Sequence, residues 1–298
     1  MPSVEHLGQQ LASLHELQSV VKTMKALSAA SIRQYEQAAR ALVDYYRTVE
    51  LGLHVVLRER EQPQQPRPHG ERPLVAVVLG SDHGLCGRFN EDLADHVMQR
   101  LATVSAPRQQ RVVLAVGARI ATRLEQAGQA VAADFSVPGS AARITASVQA
   151  ILLKLDEWHT EQGAGHVYVF YNRHLSSARY RPTDVQMLPV NLRRFHRLEA
   201  RPWPSRVRPT YTMERERLFS SLLRQYFFVT LFRASAESQA SEHGSRLAAM
   251  RAAEKNLQER ADEVGLAFRQ ARQGLITGEM LDVVAGFEAL AAENSSQA

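Results

Sequence analysis

The last third of the chain carries the feature that most limits how it can fold. Between Met213 and Leu290 there is no proline, and most residues are strong helix formers. One helix over this segment would have about 75 residues and a length of roughly 110 Å, whereas the mean globular helix has about 11–12 residues. A helix this long cannot bury itself in an ordinary domain, so it requires a partner helix or an enclosing sleeve.

The other end of the chain supplies a matching helix. From Val4 to about Glu61 there is no proline, and the only glycines are Gly8 and Gly52. Apolar or small residues form two rows with the three-and-four spacing of a left-handed coiled coil. The first row is Leu7, Leu14, Val21, Ser28, Tyr35, Leu42, Val49 and Val56, and the second is Leu11, Leu17, Met24, Ile32, Ala38, Tyr45 and Leu53. Two helices of a helical bundle are the alternative, which their length disfavours.

The middle of the chain changes rhythm. Proline-rich stretches predict a linker at 62–72 and a connector at 201–212. Between them, at 73–200, short β-branched runs alternate with amphipathic segments. Strands are predicted at 74–79, 111–116, 166–171 and 184–190, and helices at 91–103, 118–126 and 141–162. This alternation predicts an α/β domain with a mainly parallel sheet.

These parts define a fold class of α/β plus long helices. We expect an antiparallel left-handed coiled coil of the N-terminal helix (1–61) and the C-terminal helix (213–290), with the α/β domain inserted between them and a disordered tail at 291–298. Equal rise along both helices places residues whose numbers add up to about 270 opposite each other. Met24 is then expected near Arg246, and the helix beyond Phe268 extends past the N-terminus unpaired.

The middle of the C-terminal segment is rich in small residues. They are Ala234, Ala236, Ala240, Ser241, Ser245, Ala248, Ala249, Ala252 and Ala253. Small side chains favour a close approach of two helix backbones, in a seam that buries little apolar area. The use of alanine simply as a good helix former is an equal alternative.

Composition narrows the class of protein. No run of 18 uncharged apolar residues predicts a membrane span, and the N-terminus does not resemble a secretory signal. A single cysteine, Cys86, excludes an internal disulfide and favours a reducing compartment. We therefore expect a cytosolic chain that partner proteins can hold at a membrane. The net charge is +5 and comes almost entirely from arginine, which suits pairing with carboxylates.

The glycine-rich loop that follows the first predicted strand is the first candidate site. Its spacing matches neither of the usual phosphate-binding patterns and it contains no lysine. We expect a tight turn with Asn90 or Asp92 capping the next helix. Cys86 beside His83 suggests a thiol nucleophile, but a small buried residue is the preferred interpretation. The histidines show no metal spacing, so we expect no catalytic residue, no cofactor and no metal.

A basic segment from Asn191 to Arg217 is the second candidate. Nucleic acid, an acidic protein surface and ordinary solvated charge are all compatible with it. The lack of a helix-turn-helix or β-platform signature favours an acidic protein surface over nucleic acid.

Four motifs carry a family resemblance. They are Lys22–Ala29 (KTMKALSA), the loop at Ser81–Asn90 (SDHGLCGRFN), the segment at Ala240–Asn256 (ASEHGSRLAAMRAAEKN) and the segment at Phe268–Gly286 (FRQARQGLITGEMLDVVAG). In this order they resemble the gamma subunit of F-type ATP synthases, and they span nearly the whole chain.

The resemblance implies a central rotor shaft. The gamma subunit catalyses nothing itself; it couples ion-driven rotation of the membrane c-ring to conformational change at the catalytic beta subunits, or the reverse on ATP hydrolysis. Its implied partners are the alpha3beta3 ring, the epsilon subunit and the c-ring, with one copy per complex and no nucleic acid. The implied location is peripheral, on the cytoplasmic face of the bacterial inner membrane.

The resemblance also implies residue roles. Arg272 and Gln273 match a pair that hydrogen-bonds a catch loop on beta, and Thr277 and Glu279 lie beside that pair. Arg246 and Met24 match positions near an acidic lever loop of beta. The implied bearing at the tip, in an apolar collar of the ring, consists of Val283, Val284, Phe287 and Leu290.

Departures from the family pattern indicate a divergent bacterial member. His83 replaces the usual arginine, and the N-terminal start is unusual; the alternate, N-type ATPase operons are one candidate origin. These residues do not distinguish coupling to H⁺ from coupling to Na⁺, or ATP synthesis from ATP-driven ion pumping. A static coiled-coil adaptor that presents its α/β module to nucleic acid or a signalling protein is the alternative, and an enzyme built on that module is a distant third.

Overall fold

The structure is a computed structural model that describes residues 3–58, 73–104, 110–163, 165–176, 178–190, 207 and 210–296, without the side chains of 162 and 287–296. Its helices are α1 (Val4–Ala41), α2 (Val43–Arg58), α3 (Phe89–Thr103), α4 (Ala118–Gln126), α5 (Ile144–Gln162) and α6 (Arg215–Ser296). Its strands are β1 (Leu74–Leu79), β2 (Arg111–Val116), β3 (Ala133–Phe135), β4 (His166–Ser176) and β5 (Arg179–Leu188). The predicted linker at 62–72, most of the connector at 201–212 and most of the basic segment lie outside the described residues.

Chain contacts divide the protein into two units. One unit consists of Met1–Ala26 and Ala249–Ala298, and the other is Leu27–Ala248. The second unit contains the sheet together with α2, most of α1's second half and the first part of α6. The sheet therefore shares its unit with helical segments that lie outside the predicted 73–200 domain.

The five strands form one sheet in the order β3-β2-β1-β4-β5. The first four are parallel to one another, and only β5 is antiparallel, to β4. The predicted class, α/β with long helices and a mainly parallel sheet, is confirmed. All six residues of β1 are buried, because this central strand is covered on both faces.

Alternate residues of the strands supply two apolar cores. Val75, Val77 and Leu79 face a core that includes residues of α5, α6 and α1. Ala76 and Val78 face the opposite core, which includes residues of α3 and α4. The small residues of α6 at 234, 236 and 240 belong to the first core, which contains residues of the sheet and also Tyr35 of α1. The sheet is therefore a partner of this part of α6 in addition to the first helix.

Strand boundaries are the least accurate part of the sequence prediction. The strand predicted at 166–171 continues to Ser176, and the strand predicted at 184–190 spans Arg179–Leu188. Their extensions pair as an antiparallel hairpin, whose exposed outer residues weaken the apolar signal. The short β3 was missed, because three residues carry too little pattern.

The predicted N-terminal helix is interrupted at Leu42. Neither proline nor glycine marks this point. The interruption separates two packing environments: Tyr35 belongs to the sheet core, whereas Val49, Leu53 and Leu57 pack on Tyr226 of α6. The helix therefore breaks where its packing partner changes, and the local sequence contains no signal for that change.

The unit formed by the two chain ends contains an antiparallel helix pair, as predicted. Lys25 forms an ion pair with Glu254, and the amide of Gln18 donates to Gln258 at 3.2 Å. The first heptad row is at least partly buried along its whole length, whereas Leu17 and Tyr45 of the second row are exposed. The other five residues of the second row are also at least partly buried, so both rows contribute to the packing.

The equal-rise register holds at Tyr45, but at Tyr35 and Lys25 it is wrong by more than two helical turns. Lys25 pairs with Glu254, where the estimate placed residue 245. In the other unit, Tyr45 bonds to Gln225 and Tyr35 stacks on His243. These two contacts are 10 residues apart in the N-terminal segment but 18 residues apart in α6. The spacings differ because α1 ends at Ala41 and α6 packs along the sheet in this interval.

The end of α6 also differs from the prediction. The helix continues to Ser296, so most of the predicted disordered tail at 291–298 is helical. Good helix formers at Ala291, Ala292 and Glu293 explain the continuation.

Candidate functional site

The far end of α6 holds most of the residues that the family resemblance singled out. Arg272, Gln273, Thr277 and Glu279 are all exposed. The hydroxyl of Thr277 donates to the backbone carbonyl of Gln273 at 2.9 Å. Among the described residues no salt bridge holds the Arg272 guanidinium or the Glu279 carboxylate, so both are available to another protein.

Helical geometry divides these four residues into two groups. At 100° per residue, positions 272 and 279 share one face, and positions 273 and 277 share a face about 100° away. The structure therefore brings them to one level of α6 without joining them into one cluster. A partner that contacts all four must surround a large part of the helix.

The same segment exposes apolar side chains around most of its circumference. They are Leu275 (53% exposed), Ile276 (48%), Met280 (66%), Leu281 (63%), Val283 (67%) and Val284 (52%). The predicted bearing residues Val283 and Val284 are thus exposed, while the side chains of Phe287 and Leu290 lie outside the described part. A helix that is apolar on several faces requires an enclosing environment.

Met24 and Arg246 differ in their surroundings. Met24 is half-buried on α1, next to the Lys25–Glu254 ion pair. Arg246 is buried, with its side chain 9% exposed, and its guanidinium donates to Glu242 at 2.6 Å and to the Gly84 carbonyl at 3.4 Å. The guanidinium is therefore engaged within the chain in this structure, and the contact of Arg246 with beta stays a prediction.

The loop after β1 is held rigidly from within. The Asn90 carboxamide accepts from the Ser81 amide at 3.1 Å and donates to the Ser81 hydroxyl at 2.8 Å. The Asp82 carboxylate accepts from the amides of Ala118 and Val137 at 3.0 and 2.9 Å. Asn90 therefore ties the loop together and does not cap α3, which has no side-chain cap. The expected cap is wrong because the Asn90 side chain turns back to the end of β1.

Cys86 is a buried free thiol, as the preferred interpretation held. Its sulfur lies 3.7 Å from the Ser81 hydroxyl, and burial raises the pKa of the thiol. A raised pKa disfavours the nucleophilic thiolate. The loop thus has the properties of a structural element.

A helix covers the edge of the sheet where ligands bind in many related folds. In doubly wound sheets, ligands bind beyond the carboxyl ends of the strands where the strand order reverses, which here is between β1 and β4. α6 occupies that position: the Ser238 hydroxyl bonds to Leu79 of β1, and the Ser241 hydroxyl to Asn172 of β4. The crevice is filled by the chain itself.

Arg246 belongs to a cluster of buried ionisable side chains. Burial raises the pKa of Glu242, an effect that Arg246 opposes. His243 stacks on Tyr35 at 5.5 Å, and burial, with the Arg246 charge, lowers the pKa of His243 to about 4. Burial also raises the pKa of Tyr35, whose hydroxyl donates to the Pro138 carbonyl at 3.1 Å. This cluster fastens α1, α6 and the domain together within one unit.

Sequence reasoning missed these contacts. Ser238, Ser241 and Ser245 recur at intervals of three and four, which places their hydroxyls on one helical face. That row of serines on one helical face was the available signal. A second signal in the sequence was the pair of an acidic and a basic residue, Glu242 and Arg246, one helical turn apart.

Among the described helices, none has the length and apolarity required to cross a bilayer. Within the same described ranges, no three His, Cys, Asp or Glu side chains gather in a way that could hold a metal ion.

Comparison with known proteins agrees with this geometry. The family model described as ATP synthase matches residues 3–290. The ATP synthase gamma chain of Anaeromyxobacter dehalogenans (strain 2CP-C) is 30% identical over 297 residues, which covers 97% of this chain and 100% of that relative. The gamma chain of Desulforamulus reducens is 26% identical over 301 residues, with the same two coverages.

Solved structures give the same fold. The rotor of the Euglena gracilis mitochondrial ATP synthase, in rotational state 1, aligns with a TM-score of 0.63 at 17% identity, over 92% of this chain and 98% of that one. The central stalk and c-ring structure from Tetrahymena thermophila contains a chain that aligns with a TM-score of 0.56 at 19% identity, over 78% and 99%. By the match along almost its whole length, this chain belongs to the ATP synthase gamma-chain family.

Proposed function

We propose that this chain is the central rotor shaft of the F1 sector of an F-type ATP synthase. It couples rotation of a membrane c-ring to conformational change at three catalytic beta subunits, and works in reverse on ATP hydrolysis. Its partners are the alpha3beta3 ring, the epsilon subunit and the c-ring, with one copy of the chain per complex. Support comes from the family membership and from the exposed end of α6.

The single observation that carries the proposal is the apolar, exposed end of α6. Large apolar side chains from Leu275 to Val284 are about half to two-thirds exposed on several faces of one helix. Leaving them in water forgoes roughly 25 cal/mol for each Å² of apolar surface that could be buried. An apolar collar that encloses the helix removes this cost, and a smooth apolar contact has no fixed register that would resist turning.

The polar residues just before this end supply the directional contacts. Arg272 and Glu279 point to one side of α6, and Gln273 and Thr277 point to another. In a ring of equivalent subunits, these two faces meet different subunits at any moment. We assign all four to contact with beta, together with Met24 lower on the shaft, and assign Val283, Val284, Phe287 and Leu290 to the bearing.

The coupling follows from this lack of rotational symmetry. A shaft that touches three equivalent subunits differently stabilises a different conformation in each. Each bias is limited to the difference in contact free energy between the conformations. Rotation moves the bias around the ring and so drives the beta sites in sequence.

The chain acts without its own catalytic site. The loop after β1 is occupied with internal hydrogen bonds, and α6 fills the usual ligand crevice. We therefore propose a non-catalytic subunit that lies at the cytoplasmic face of the bacterial inner membrane and is held there by its partners.

A rotation assay tests this function directly. Because the only cysteine of the chain is buried, Leu153→Cys on α5, where the leucine is 72% exposed, provides a selective attachment point. The complex is purified from its host through a tag on beta, fixed to glass by beta, and labelled with a bead at that cysteine. We expect ATP-driven rotation in one direction with three pauses per turn.

Controls separate rotation from other outcomes. The unsubstituted complex should take up almost no label, and an inhibitor of the ATPase should stop the motion. A labelled chain that co-purifies without alpha, beta and epsilon, or that stays still in an ATP-hydrolysing complex, would refute the rotor assignment. Recovery with nucleic acid instead would support the adaptor alternative.

A further inference from the structure

The contact between α6 and the sheet contains a row of serine hydroxyls. Ser238 donates to the Leu79 carbonyl at 2.9 Å and Ser245 to the Cys86 carbonyl at 2.6 Å. The Ser241 hydroxyl shares its single hydrogen between the Asn172 carbonyl and the Glu237 carbonyl of its own helix, each 2.8 Å away. All three serines are buried, at 1%, 1% and 9% exposure. Their spacing of three and four residues places them on one face of the helix. We refer to these three residues as the serine row.

Two of the accepting carbonyls, those of Leu79 and Asn172, lie where the sheet loses strand partners. The pairing of β1 with β4 ends at Leu79 and Tyr171, and β4 continues beyond that point. On its β1 side, Asn172 therefore has no strand to pair with. Ser238 and Ser241 supply donors at this edge, where a buried carbonyl without a partner is costly. Ser245 adds a second donor to the Cys86 carbonyl of the loop, which also accepts from the Phe89 amide at 3.4 Å.

Small side chains are required for this arrangement. A serine hydroxyl reaches a strand carbonyl only when the helix backbone comes close to the sheet edge. Ala234, Ala236 and Ala240, all buried in the core shared with the sheet, permit that approach. A charged contact lies next to the row, where Arg246 bonds to Glu242 and reaches the Gly84 carbonyl.

The two kinds of contact resist different motions. Apolar burial is non-directional, so it holds α6 against the sheet but allows sliding and turning. Hydrogen bonds weaken steeply with angle, so short side chains bonded to backbone carbonyls resist those motions. The serine row is therefore the part of the contact that can transmit a twisting force.

We propose that the serine row is the joint through which torque passes between the sheet domain and α6. This proposal rests on the proposed rotor function. The three serines act as positioning residues: they contact no substrate, and they keep the sheet domain at a fixed angle about α6 while the force rises and falls.

The test compares a triple variant with a double variant that serves as its control, both in the labelled complex. Ser238→Ala, Ser241→Ala and Ser245→Ala together remove the row, and Ser220→Ala with Ser221→Ala removes two exposed hydroxyls of α6 as the matched control. The measured quantity is the variance of the bead angle during the pauses, with the bead at Leu153→Cys. A softer joint widens this distribution, whereas a purely structural contribution to folding changes only yield and thermal stability.

We expect the triple variant to raise the variance about twofold, because it removes three directional contacts of α6 and leaves that of Arg246 with the Gly84 carbonyl. The control should leave the variance unchanged. An assembled triple variant with the variance of the unsubstituted complex overturns the joint while leaving the rotor assignment intact. Absence of rotation in the unsubstituted complex instead defeats the rotor function itself.

The single variants decide the matter if the triple variant fails to assemble. Ser238→Ala, Ser241→Ala and Ser245→Ala are then measured one at a time. Increases in variance at each position support the joint. Three single variants that rotate with unchanged variance overturn it.

Discussion

Glu242 and Arg246 form a buried ion pair one turn apart on α6, with 2.6 Å between carboxylate and guanidinium and side-chain exposures of 6% and 9%. Such a pair contributes little net stability relative to apolar residues of similar size, but breaking it strands a charge in the interior. Replacing one member of the pair should therefore cost more stability than replacing both.

Arg246→Met alone should lower the free energy of unfolding by about 3–5 kcal/mol, because Glu242 then lacks its cation. Glu242→Leu together with Arg246→Met should cost less than either single change. The measurement is urea unfolding followed by fluorescence of Trp158, which is buried in the sheet core, in a Trp203→Phe background. A double variant whose loss equals the sum of the single losses would contradict the buried-pair description.

His243 should make stability depend on pH. Burial, with the Arg246 charge, lowers its pKa to about 4 in the folded chain, below the ordinary value of 6.5. The neutral ring is thus favoured by folding, so its contribution is complete above pH 6.5 and is lost as the pH falls towards 4. We expect a loss of about 3 kcal/mol over this range.

His243→Phe provides the test of that pH dependence. The substitution keeps an aromatic ring to stack on Tyr35 and removes the titrating group. Unfolding by urea at pH 7 and pH 5 should show a smaller difference for this variant than for the unsubstituted chain. His15→Asn, at an exposed position of α1, is the matched control and should leave the difference unchanged. Equal pH dependence with and without His243 would refute the assignment.

Gly80 should not tolerate a side chain. A Cβ at this position would lie 2.3 Å from the Cβ of Ile120, and Ile120 is fully buried. We expect Gly80→Ala to cost about 3 kcal/mol or more, measured by the same unfolding assay. Gly139→Ala has no atom within 4 Å of the new Cβ and serves as the control. A Gly80→Ala chain as stable as the control would show that the loop after β1 can shift.

Arg272 should matter only in the assembled complex. Its side chain is exposed, and no salt bridge holds it among the described residues. If it donates a charge-assisted hydrogen bond to beta, Arg272→Ala should reduce ATPase activity about tenfold or more, since such bonds contribute about 1.5–3 kcal/mol. The unfolding of the free chain should not change.

The control for Arg272 is Arg251→Ala, another exposed arginine of α6. Gln273→Ala should act separately from Arg272→Ala, because the two side chains point about 100° apart. Full ATPase activity in a complex that contains Arg272→Ala would remove this residue from the beta contact.

The sequence by itself determined the elements and their order. A proline-free segment of this length leaves few options besides a long helix, and a β-branched run such as Leu74–Leu79 leaves few besides a buried strand. Leu7, Val21, Tyr35 and Val49 of the first heptad row are buried as expected. These features follow from local periodicity, which each segment carries in itself.

Tertiary structure alone decided how the elements meet. The position of Arg246 in the buried pair, the reach of the serine hydroxyls to strand carbonyls and the interruption at Leu42 depend on segments far apart in sequence. A register rule based on helical rise cannot include the sheet that redirects α6. The small residues of α6 predicted a close approach of another helix, and only the folded chain shows that, around Ala236, the core they join also includes the sheet.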